Sequence, residues 1–128
     1  MKIIRVLVCV IAIFIGDFYL GNTANAFFDN WKTEDKLLYG AWGIAHGIDL
    51  LQTREIFDNP NFYELNPVFR SVDKDWSTAI MLLEYPLVYW MVDEFPKIRT
   101  FGLGILTGVS VGLIIHNNNI GVRIGARW

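Results

Sequence analysis

Cysteine is nearly missing from this 128-residue chain. Cys9 is the only one, so no intrachain disulfide can form. It lies in an apolar N-terminal stretch where Val8 departs from the small residue that a lipidation box needs. Charge is also scarce: Asp, Glu, Lys and Arg make up 19% of positions, and the net charge of −2 offers no basic surface for a nucleic acid backbone. No Gly-x-Ser-x-Gly, phosphate loop or His-Glu-x-x-His occurs, which removes the usual hydrolase, nucleotide-binding and zinc-protease signatures. Apolar residues, by contrast, reach 53%, and the mean hydropathy is +0.34. Soluble domains hold about 45–50% apolar and about 25% charged residues, so the balance points to a membrane.

The N-terminus has the three parts of an export signal. Lys2 and Arg5 precede an apolar run from Val6 to Gly16, and a polar stretch ends in Ala24-Asn25-Ala26. That pattern predicts a signal peptide over 1–26, with an uncleaved anchor as the alternative; either delivers Phe27 to the far side of the membrane.

Three apolar segments follow, and they predict an all-α membrane protein with spans at about 35–57, 76–93 and 99–116 and a short extended C-terminal tail. Thr33-Glu34-Asp35 supplies helix-start chemistry for the first. Pro86 lies inside the second and predicts a kink. Gly104, Gly108 and Gly112 repeat every four residues in the third, and Gly43 and Gly47 share that spacing in the first. Faces without Cβ atoms let backbones approach, so the first span is expected to dock on the third through these glycines, with homodimerisation as the competing use. A soluble helical bundle is the main competing fold. A β-hairpin over 106–115 and 120–128, suggested by the alternation from Ile120 to Trp128, is a further one, although a barrel needs many more such strands. The Lys and Arg distribution between loops hardly favours either orientation, so the leader sets it.

Ionisable groups inside apolar segments need a reason, because one near mid-bilayer costs about 2.5–3.5 kcal/mol on the insertion scale. His46, Asp49 and Thr53 fall on one helical stripe, and Glu84 is the second buried-looking acid. Two uses are open for these four: a proton or cation site built on a His46–Asp49 pair and joined by Glu84, or hydrogen bonds that hold the bundle in register. Glu84 could also donate to a carbonyl freed by Pro86. No metal is expected, since no ligand pair has a diagnostic spacing, and no cofactor is implied.

The connection from Arg54 to Trp76 carries Asn59-Pro60 and Asn66-Pro67, each an N-cap residue before a proline suited to a first helical position. Short helical turns are predicted at Pro60–Glu64 and from Pro67 towards Val72. Glu64 would brace the Asn66 turn. The aromatic residues Phe57, Phe62, Tyr63, Phe69 and Trp76 suit a membrane interface.

Asp49-x-x-Gln52-Thr53, Asn59-Pro60, Tyr63-Glu64-x-Asn66-Pro67, Phe95-Pro96-x-x-Arg99 and Asn117-x-x-Ile120-Gly121-Val122 together resemble a group of small uncharacterised bacterial and phage membrane proteins, over roughly 42–128. Those relatives continue the Asn-Pro element with a Gly and a His-Pro-Ser step, where this chain has Val68 to Asp73. The resemblance implies a shared membrane fold and no known reaction. The expected function is that of a small accessory or structural protein of the bacterial inner membrane, with the lipid bilayer, a membrane protein or a second copy as partner and no nucleic acid. The alternative is a small ion- or proton-binding, transporter-like unit using His46, Asp49 and Glu84. An intramembrane enzyme built on the same residues is a third, more distant one.

Overall fold

A computed structural model describes residues 28–64, 67–122 and 124. The expected signal peptide, Asn66 and, of the expected tail, residues 123 and 125–128 lie outside the described residues, and of Pro67 only the backbone is described. The chain divides into two units, 1–32 and 33–128. In the first, Phe28 to Asn30 form a turn in which the Trp31 amide donates to the Phe28 carbonyl at 3.1 Å. In the second, every regular element among the described residues is a helix: α1 (Thr33–Asp58), α2 (Pro67–Arg70), α3 (Lys74–Glu94) and α4 (Arg99–Asn119).

Each long helix starts and stops for local reasons. Glu34 and Asp35 place negative charge in the first turn of α1. Asp73 caps α3, its side chain accepting from the amides of Asp75 and Trp76 at 3.0 and 2.9 Å. The end of α4 is a Schellman stop: the Val122 amide donates to the Asn117 carbonyl, the Gly121 amide donates to the Asn118 carbonyl, and Gly121 takes φ +92°. Only a glycine adopts that φ without strain. The helix therefore runs through 106–115 and on to Asn119, which overturns the alternative hairpin. The turn expected at Pro60–Glu64 is not helical either. Asn59 instead folds back on Asn61, accepting from its amide and side chain at 3.1 Å each, and the helical piece begins only at Pro67.

The three long helices pack together, α1 most extensively against α4. Bonds from Thr100 to Asp35 near one end and from Asn117 to Asp49 near the other make α1 and α4 parallel. Bonds from Tyr39 to the Tyr85 carbonyl and from Arg54 to Thr78 make α3 antiparallel to α1. At 1.5 Å per residue, α1 is about 39 Å long and α3 and α4 about 31 Å each. They cover the three stretches expected to span, but only α4 is apolar enough in composition to count as a candidate span among the described residues. The reason is the inner stripe of α1, which carries His46, Asp49, Gln52 and Thr53, and Glu84 together with the charged ends of α3.

The bundle interior is unusually polar. Trp42, Met81 and Leu103 are its fully buried apolar side chains within the long helices, yet buried polar side chains outnumber buried apolar ones among the described residues. Large apolar groups face outwards instead, with Ile44 70%, Leu83 67% and Phe101 73% exposed.

Candidate functional site

The polar interior is built in tiers along the bundle. At the end where α1 and α4 begin and α3 finishes, Arg99 is 2% exposed and joins all three helices. Its Nε donates to the Val92 carbonyl at 2.9 Å and Nη2 donates to the Asp93 carbonyl at 3.1 Å, satisfying the last turn of α3. Nη1 lies 3.7 Å from Asp35 Oδ2, and the Thr100 hydroxyl donates to Asp35 Oδ1 at 2.5 Å. None of these roles was drawn from the sequence. The signal that was there is the placement of Asp35 on the inner face of α1, with an arginine following the Phe95-Pro96 break.

An aromatic tier comes next. The Tyr39 hydroxyl donates to the Tyr85 carbonyl at 3.0 Å, and the Tyr85 hydroxyl donates to the Gly43 carbonyl at 2.7 Å. A Cβ on Gly43 would stand 3.4 Å from the Tyr85 ring, and one on Gly47 would stand 3.3 Å from its hydroxyl. These two glycines therefore seat a tyrosine of α3. A Cβ on Gly104, Gly108 or Gly112 would meet nothing within 4 Å. The expected contact of α1 with α4 exists, but the glycine faces do not make it. Close approach of Tyr85 uses the first pair, and polar side chains supply much of the α1–α4 register.

His46 occupies the middle of the bundle. Its ring stacks on Trp42 at 5.1 Å between centroids and meets the edge of Tyr85 at 5.1 Å. Nε2 is 2.8 Å from the Met81 carbonyl and 3.3 Å from Glu84 Oε2. A carbonyl only accepts, so Nε2 carries a proton and donates. Glu84 thus contacts His46 rather than a carbonyl freed by Pro86. The two side chains differ in access: His46 is 6% exposed and Glu84 39%.

One turn further along, Asp49 pairs with α4. Asn117 Nδ2 donates to Asp49 Oδ1 at 3.3 Å and to Gln52 Oε1 at 3.2 Å, and Gln52 Nε2 donates to Asn118 Oδ1 at 3.0 Å. The expected His46–Asp49 pair is replaced by these two separate partnerships, although the charges of His46, Glu84 and Glu64 all act on Asp49. Thr53 is buried beside this tier, as its stripe position implies. The Arg54 Nη1 donates to Thr78 Oγ1 at 2.8 Å, and Ser77 Oγ is buried with no hydrogen-bond partner. Asn59 and Pro60 form the exposed turn described above.

Among the described residues no group of three or more His, Cys, Asp or Glu side chains is arranged to hold a metal ion. The side chains gathered here, one imidazole with carboxyls and side-chain amides, can bind protons and exchange hydrogen bonds. No protein-family model, no curated protein and no solved structure matches the chain.

Proposed function

We propose that this chain is a small integral protein of the bacterial inner membrane, exported through its leader, crossing the bilayer with α1, α3 and α4, and serving as an accessory or structural unit that contacts a membrane partner or its own copy. The observation that carries this reading is the inverted bundle: polar side chains inside and large apolar ones outside. In water that arrangement exposes far more apolar surface than a soluble monomer tolerates, whereas in hydrocarbon ionisable groups belong inside. The candidate span α4 is only 17% buried over its apolar window, unlike the core helix of a soluble protein. The lengths of α1 and α3, at about 39 and 31 Å, suit a hydrocarbon core of about 30 Å. Asp49, Gln52 and Asn117 meet between α1 and α4, inside the bundle, where polar groups of a membrane protein belong.

Extraction with alkaline carbonate tests the reading. The full chain is expected to stay with the membrane pellet, and release into the supernatant would overturn it.

The contact of His46 with Glu84 favours a second reading, a small proton- or ion-binding unit. Asp49→Asn distinguishes the two. In a structural unit it lowers accumulation of the folded protein, whereas in a binding unit the protein accumulates and a pH- or ion-linked signal changes.

A further inference from the structure

Glu84 is the middle residue of the 21-residue α3, about 15 Å of helix from either end. Its side chain is 39% exposed, but its neighbours on the same helix, Leu83 and Leu87, are apolar and face outwards. Behind it stands the buried imidazole of His46. The charged groups that bear on the pair are Asp49 from α1 and, beyond it, Glu64 from the connecting segment. Tyr85 adjoins it on α3, with its hydroxyl held by the Gly43 carbonyl. The side chain that α4 offers Asp49 is the uncharged amide of Asn117. The basic side chains Arg54, Lys74 and Arg99 are engaged with Thr78, Asp58 and the Asp35–Asp93 end of the bundle. One imidazole therefore answers two carboxyls, Glu84 in contact with it and Asp49 one turn along α1. In an apolar surrounding, taking up a proton is the cheapest way to reduce the excess negative charge.

We propose that Glu84, backed by His46, is a proton-binding site that opens sideways onto the apolar outer face of the bundle, so that its carboxyl is reached from the lipid phase. This rests on the proton-binding reading above and adds the route of access. A lipid-soluble carbodiimide reports both properties. The carboxylic acid O–H adds across one C=N bond of the reagent, and the O-acylisourea rearranges to an N-acylurea. Nothing leaves, so the peptide gains the whole mass of the reagent.

The experiment uses the full chain in phospholipid vesicles, dicyclohexylcarbodiimide, and peptide mass spectrometry. The expected result is an adduct at Glu84 that declines as pH rises, with little adduct from a water-soluble carbodiimide. Glu84→Gln loses the label. Removing the imidazole with His46→Gln changes the pH profile of labelling, because the Glu84 carboxyl loses the Nε2 group that stands 3.3 Å from it. A purely structural histidine would leave that profile in place. An unlabelled Glu84 in vesicles that becomes labelled after unfolding in dodecyl sulfate overturns the proposal, as does equal labelling by the two reagents. Because the adduct is located on the native sequence, the result does not depend on any variant folding. A chain that resists carbonate extraction but shows no Glu84 adduct defeats this inference alone, whereas a chain that carbonate releases defeats the membrane reading beneath it.

Discussion

Gly47 and Gly108 have the same helical spacing pattern around them and opposite surroundings. A side chain at Gly47 meets the Tyr85 hydroxyl at 3.3 Å and threatens its bond to the Gly43 carbonyl. A side chain at Gly108 enters open space. Gly47→Leu is expected to lower the stability of the monomer by about 1–3 kcal/mol, the usual cost of overpacking. Gly108→Leu should leave the monomer at least as stable as the parent, since glycine within a helix is itself unfavourable by about 0.5–1 kcal/mol relative to alanine. Reversible unfolding in mixed micelles, followed by tryptophan fluorescence, measures both. Equal losses at the two positions would contradict the packing described. A lower oligomeric state of Gly108→Leu in the same micelles would assign the open glycine face to self-association.

Helices rather than single side chains are what Arg99 and Asp35 hold. Both are nearly buried, and between them they tie the first turn of α1, the last turn of α3 and the first turn of α4. Arg99→Met leaves Asp35 enclosed without its cation and uncovers the carbonyls of Val92 and Asp93. A loss of roughly 3–5 kcal/mol is expected, the typical cost of removing one partner of a buried ion pair. The double change Arg99→Met with Asp35→Leu should recover much of that loss, because a pair of apolar groups carries no desolvation penalty. The same unfolding titration compares them. A double variant no better than the single one would mean that capping of α3, not the ion pair, is the main contribution. At the opposite end the corresponding work is done by neutral amides, Asn117, Asn118 and Gln52, and by the glycine stop at Gly121.

For the whole molecule, the decisive property is which way the apolar residues face. Val109 is the middle residue of α4 and is 55% exposed. On a soluble bundle Val109→Asp would be harmless or would improve solubility. In a bilayer it places a charge at mid-depth, at about 2.5–3.5 kcal/mol on the insertion scale. The expected outcome is a clear fall in the membrane-integrated fraction of the variant, read by fractionation after expression of the full chain. An unchanged fraction would argue against α4 as a span.

Much of this arrangement was readable along the chain because it depends on local spacing. The three long helices lie where the apolar segments place them, and His46, Asp49 and Thr53 face inwards together because positions three, four and seven apart share a helix face. The hydroxyl, amide and ionic partners of those residues were not readable. Asp49 bonds Asn117 across 68 positions and His46 meets the Met81 carbonyl across 35, and no periodicity encodes such pairings. Spacing likewise misjudged the glycines, since it shows that a face is bare but not whether Tyr85 or open space lies over it. Helix position and inward stripe follow from interactions within a few residues; partner choice follows from three helices meeting at a particular register, which only the folded bundle fixes.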